Sequence, residues 1–216
     1  EEGGARLGAR ASEGDLELER LAQPTLAALQ DRLLDQARAV HVLHFIGHGL
    51  FDAGTGSGGL AFENEAGRAD VVSPQHLAMA VCDHGPLRVV YLNACQGARA
   101  GQREPFAGVA QHLVRHGVPA VLAMQAAVTD RAAIDLARAF YTALAAYQLV
   151  EVALVHARKQ VKGSGDELEW ATPVLYSRTP DGRLFRPPGI EVPDPAATAR
   201  RTTAFNLPAG LADFTG

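Results

Sequence analysis

The chain has 216 residues, 47% of them hydrophobic and 20% charged, with 20 Lys plus Arg against 24 Asp plus Glu and a net charge of −4. A chain of this length can bury roughly 70 to 75% of its unfolded surface in one domain, and the composition excludes a disordered chain, a collagen and a disulfide scaffold. No stretch gathers five or six basic residues, and no apolar run approaches the roughly 20 residues that span a bilayer. Nucleic acid and membrane are therefore not expected partners. The two cysteines, Cys82 and Cys95, and the lack of a signal segment point to the cytoplasm. The opening Glu1 in place of Met reads as a module of something longer.

Residues 1–18 mix Gly, Ala, Arg and Glu without periodicity and are expected to form an arm. From Pro187 onward, Pro188, Pro193, Pro195 and Pro208 interrupt any regular pattern, which predicts a tail or linker over 187–216. Between them, over 19–186, short β-branched runs alternate with helical periodicities, the pattern of a sheet with crossover helices. A helix is predicted over 24–38, with Leu26, Leu29, Leu33 and Leu34 on one face. It leads into Val40–Ile46, an apolar strand of the kind covered on both faces. The glycines from Gly54 to Gly59 predict a loop, and Leu60–Glu63 a short strand. A helix capped by Ser73 starts near Pro74.

Leu87–Leu92 is predicted as a second core strand, ending at Asn93-Ala94-Cys95-Gln96-Gly97. A helix over 106–116 stops at Gly117, and Val118–Met124 is the next strand. Thr129 or Asp130 caps a long helix whose buried face carries Ile134, Ala137, Phe140, Tyr141 and Leu144. A further helix covers about 149–161. Thr172–Tyr176 is a last core strand, turned by Asp181-Gly182 into Arg183–Arg186.

Two segments share one design: a buried strand ends, and a reactive residue with a glycine follows. They are Phe45-Ile46-Gly47-His48-Gly49 and Leu92-Asn93-Ala94-Cys95-Gln96-Gly97. Ligand crevices of open parallel sheets lie at the carboxyl ends of strands, so the imidazole of His48 and the thiol of Cys95 are expected to face one cleft. A thiol with an adjacent imidazole suffices for acyl transfer. The amides of Gly49 and Cys95 are natural donors to a developing oxyanion. The spacing agrees with the caspase signature, in which Q-A-C-[RQG]-G has its His about 50 residues upstream. Here Ala94-Cys95-Gln96-Gly97 fits all but the first letter, and His48 lies 47 positions before Cys95.

Through these and further segments, the stretch from about Pro24 to Arg186 resembles the CHAT peptidases, caspase-like domains related to separases. The resemblance runs through His44-Phe45-Ile46-Gly47-His48-Gly49, Leu92-Asn93-Ala94-Cys95, Val118–Met124, Asp130 before a helix with Phe140-Tyr141, Ala153-Leu154 and Trp170–Tyr176. It implies a caspase-like three-layer α/β sandwich, with a largely parallel central sheet flanked by helices. It also implies a cysteine endopeptidase with Cys95 as nucleophile, His48 as general acid/base and Gly49 and Cys95 as the oxyanion hole. Many members carry Glu-Thr-Gly after the Cys where this chain has Gln96-Gly97-Ala98, and Leu-Trp where it has Gln125-Ala126.

No cofactor and no metal are expected; the partners are a protein or peptide substrate and a regulatory domain or activating partner. Separase-like relatives hold Arg or Lys before the scissile bond with acidic groups. Asp130, followed by Asp135, is therefore expected to line the substrate pocket, although Asp130 also suits an N-cap. Cys82 reads as a structural thiol, and His41 and His44 as hydrogen-bonded core groups. His112 and His116 share the spacing of a zinc helix but lack its Glu. A catalytically silent scaffold of the same family, and a Rossmann-like small-molecule binder, are the alternatives; the binder lacks a phosphate-binding glycine loop.

Overall fold

The computed structural model describes residues 17–52, 57–94, 105–163 and 168–187. The chain divides into two units, Glu1–Phe185 and Arg186–Gly216, and the elements below belong to the first. The expected arm and tail lie outside the described residues apart from positions 17, 18 and 187.

Helix α1, Leu26–Leu34, begins where Thr25 Oγ1 accepts the Ala28 N–H at 3.0 Å. Strand β1, Val42–Gly47, is followed by a small antiparallel sheet of β2 (Gly49–Asp52), β3 (Ser57–Glu63) and β4 (Ala69–Val72). Helix α2, Pro74–Val81, is capped by Ser73 and has Pro in its first turn, where the missing N–H costs nothing. Then come β5 (Val89–Ala94), α3 (Pro105–Arg115), β6 (Ala120–Met124), α4 (Asp130–Ala145), α5 (Val150–Gly163), a 3₁₀ turn at Glu169–Ala171 and β7 (Pro173–Ser177).

The main sheet has the order β1-β5-β6-β7. The first three strands are parallel and β7 is antiparallel to β6. Every residue of β6 is buried, as a continuous apolar run in a central strand requires. Phe45 of β1 packs on Phe62 of β3, which places the small sheet, with α1 to α3, on one face. Tyr91 of β5 packs on Phe140 and Tyr141 of α4, which with α5 covers the other. The result is the three-layer α/β sandwich expected from the sequence. After α3, Gly117 adopts φ +115°, a conformation that stops the helix and that other residues rarely adopt.

Several expectations need correction. Strands β2 and β4 were not foreseen, and Ser57-Gly58-Gly59 of the expected glycine loop are part of β3. The reason lies at Gly59, where a Cβ would stand 2.7 Å from the Val72 carbonyl oxygen; the glycine serves close strand approach rather than a loop. Arg183–Arg186 is not a strand: the Gly182 carbonyl accepts the Val150 N–H at 2.9 Å and Leu184 is buried, so the segment is held against the start of α5. Helix α1 is shorter than expected, and Leu34 is exposed while Leu29 and Leu33 are buried. On α4 the buried stripe is Ala132, Leu136, Phe140, Ala143 and Leu144, which turns Ile134 outward to 42% exposure. Strand β1 stands at one end of the strand order, so Ile46 is 64% exposed.

His41 is exposed, and His44 is not hydrogen-bonded through its buried Nε2. The His44 ring lies 4.4 Å from that of Tyr91 and 5.7 Å from that of Tyr141. Desolvation in this aromatic nest lowers its pKa to about 4, against 6.5 for an ordinary imidazole. Between those two values the unfolded chain binds more protons than the folded one. The His44 contribution is thus fully present above about pH 6.5 and is lost as the pH falls toward 4, a difference on the order of 3 kcal/mol. The stability of His44→Phe, measured by urea unfolding, is expected to fall less steeply than wild type between pH 7 and pH 4. Parallel curves for the two proteins would contradict this account.

Candidate active site

The site is built by the pairing of two neighbouring parallel strands. Along β1 and β5 the register runs Val42↔Val89, Phe45↔Leu92, Ile46↔Asn93 and finally Gly47↔Ala94. The next residue of each strand is His48 and Cys95. Strands in a sheet lie about 4.8 Å apart, so the two chain paths leave the same sheet edge side by side. Cys95 itself, with Gln96 and Gly97, lies outside the described residues.

His48 sits between the two sheets. Its carbonyl accepts the Ala61 N–H at 2.9 Å, and its side chain is exposed. That bond makes His48 and Ala61 a hydrogen-bonded pair of the antiparallel ladder. Bonded and non-bonded pairs alternate in such ladders. The next pair, Gly49↔Leu60, is therefore a non-bonded one, and the Gly49 N–H points away from β3. An amide adjoining His48 is left unused by the ladder, as an oxyanion donor must be.

Asp130 is the first residue of α4, which leaves the same sheet edge after β6, and its side chain is exposed. The cap of that helix is Thr129, whose Oγ1 accepts the Ala132 N–H at 3.3 Å. Asp130 is thus not the cap. Asp135 lies further along the helix by roughly 7.5 Å, between Arg131 at 4.0 Å and Arg138 at 3.4 Å. The structure brings Asp130 to the edge that carries His48 and leaves Asp135 with its own helix.

One carboxylate escaped the sequence reading. Glu169, in the 3₁₀ turn before β7, accepts the Thr129 backbone N–H with one oxygen and the Thr129 hydroxyl with the other at 2.9 Å. Gln125 N–H donates to the Thr172 carbonyl at 2.9 Å beside it. The loop between β6 and α4 is thereby pinned to the start of β7, and a negative charge rests at the α4 N-terminus, where the helix dipole favours it. Only the helix-favouring Thr129-Asp130 pattern hinted at a cap; a partner 40 residues away leaves no local signal.

Cys82 stands at the opposite edge, at the C-terminus of α2, with its N–H donated to Ala78. Partial burial, and secondarily the Asp83 charge, push its thiol pKa up, which makes it the less reactive form. His112 and His116 stack at 4.1 Å, and His116 Nδ1 is bonded to the His112 carbonyl at 2.8 Å. Among the described residues no group of three or more His, Cys, Asp or Glu is placed to hold a metal. No helix among them is long and apolar enough to cross a membrane.

The Glu169 clamp is measurable. Glu169→Ala and Thr129→Ala are each expected to lower unfolding stability by about 1 to 3 kcal/mol. Because they share one set of hydrogen bonds, the double variant should lose clearly less than the sum. Additive losses in denaturant titrations would show that the two residues act separately.

Comparison with curated proteins gives no match. The family model described as CHAT domain matches residues 1–179. With that match over most of the chain, and with the largely parallel sheet flanked by helices, the chain belongs to the CHAT family, which is related to the caspase-like cysteine peptidases.

Proposed function

We propose that the chain is a cysteine endopeptidase acting on protein substrates through a Cys95–His48 dyad. The observation that supports it is the β1–β5 register, in which Gly47 and Ala94 are the last pair before His48 and Cys95. The Cys95 thiol gives its proton to His48, its sulfur attacks the peptide carbonyl, and the carbonyl π electrons move onto oxygen, toward the amides of Gly49 and Cys95. The tetrahedral species then expels the amine, which takes its proton from His48. Water, deprotonated by His48, opens the thioester and restores the thiol.

The residue before the scissile bond is Arg, then Lys. Asp130 supports this choice: it is an exposed carboxylate at the same sheet edge, whereas Asp135 is engaged by Arg131 and Arg138. A carboxylate accepts a guanidinium bidentately and repels a substrate Asp. Control by an attached domain or a partner belongs to the same proposal, supported by the Pro-rich stretch from Pro187.

Arg-, Lys- and Asp-terminated fluorogenic peptides test the reading together. Cys95→Ala and His48→Ala are expected to lose about 10³-fold or more in turnover, and Cys82→Ser to keep most of it. Asp130→Ala should lower Arg cleavage about 10-fold or more with little effect from Asp135→Ala. Turnover that survives Cys95→Ala removes the nucleophile assignment. Preference for Asp, or indifference to Asp130→Ala, removes the pocket. Rates equal with and without the neighbouring domain or partner remove the regulation.

A further inference from the structure

Asn93 is the one polar residue buried among the described residues, at 4% exposure, and its Oδ1 has no hydrogen-bond partner. It continues a strand whose previous four residues, Val89 to Leu92, are wholly buried and apolar or aromatic. Its neighbour across the register is Ile46, and the next step of the β5–β6 register brings Met124 to its other side. Neither offers the amide a strong partner. An unpaired amide oxygen in such a place opposes folding, so stability does not account for it.

The alternation of β5 says where the side chain goes. Leu92 shares the face of Phe45, which packs on Phe62, whereas Tyr91 faces α4, and Asn93 is on the Tyr91 side. On β1 the same side carries His44 and Ile46, and His48 follows Gly47, the last residue of the strand. Asn93, paired with Ile46, thus stands two residues below the level of His48. Two strands about 4.8 Å apart with an offset of two residues put the Cα atoms of Asn93 and His48 about 8 Å apart, a distance that an amide and an imidazole span together. The His48 ring is exposed, and hydrogen bonds of catalytic groups often tighten only when substrate is bound. Among the described residues, three carboxylates near this edge are placed elsewhere: Glu169 on Thr129, Asp135 between arginines, and Asp130 at the α4 N-terminus.

We propose that Asn93 is the positioning residue for His48. Its Oδ1 accepts the imidazole N–H that does not face Cys95, which fixes the tautomer and the ring plane and leaves the other nitrogen aimed at the thiol. This rests on His48 acting as the acid/base of the dyad, so the test needs a readout that does not depend on peptide cleavage. Nitrogen-15 shifts of the His48 ring, assigned with His48→Gln in the histidine-labelled chain, report the tautomer directly.

Wild type is expected to show one dominant tautomer, and Asn93→Leu a mixture of both. Asn93→Leu fills the same space without a polar atom and should be at least as stable to urea, yet lose about 100-fold in kcat on the best peptide with KM within about twofold. Asn93→Asp, which keeps an acceptor, should restore the single tautomer and most of kcat. An unchanged tautomer in Asn93→Leu overturns the proposal even if no peptide is ever cleaved. A kcat that falls only in step with stability, without rescue by Asp, overturns it as well. Loss of turnover in wild type alongside a tautomer that responds to Asn93 would instead count against the endopeptidase reading and leave the hydrogen bond standing.

Discussion

The parallel pairing of β1 with β5 is the constraint from which the rest of the site follows. In a parallel pair the residues advance together, so Gly47 and Ala94 end their strands at one edge and at one level. No side-chain interaction is needed to bring the ends of β1 and β5 together. What the fold must supply is burial strong enough to hold the register, and the wholly buried run Val89–Leu92 against the wholly buried β6 does that. A slip of one residue would turn the core face of β5 outward, which burial of this kind forbids.

Two further anchors fix the segments that leave this edge. On the β1 side, the Ala61 N–H holds the His48 carbonyl, so the chain turns into the small sheet immediately after the imidazole and leaves the Gly49 N–H outside the ladder. On the β6 side, Glu169 grips Thr129 through both the backbone and the hydroxyl. These segments are therefore tied to neighbouring elements rather than left to loop conformation, and bonds to a carboxylate are of the stronger class.

How far this was legible in the residues depends on the range of the interaction responsible. The β1 and β5 strands, the points near which they end and the order of the helices follow from local apolar periodicity, which records burial directly. Strands β2 and β4 were missed because their pairing is carried by backbone bonds between short, partly exposed segments, and because Gly59 is present for close approach to Val72 rather than for a turn. The outward Leu34 and Ile134 show the same limit: periodicity gives a stripe, but which neighbouring stripe faces the sheet is decided by partners far along the chain. Glu169 is the sharpest case, since nothing around it announces a contact with Thr129 across 40 residues.

The α4 face of β5 carries a gradient that the opposite face lacks. Near the middle of the sheet, His44, Tyr91 and Tyr141 form an aromatic nest in which burial keeps the imidazole uncharged and raises the phenol pKa of both tyrosines. One step toward the edge stands Asn93, neutral but polar, one residue before the strand ends. The Phe45 and Leu92 face, by contrast, is apolar against Phe62. Polarity thus rises along one face in the direction of the candidate chemistry. A buried amide at the penultimate step lets an acceptor reach the edge without placing a full charge in the core, where desolvation of a lone carboxylate costs far more.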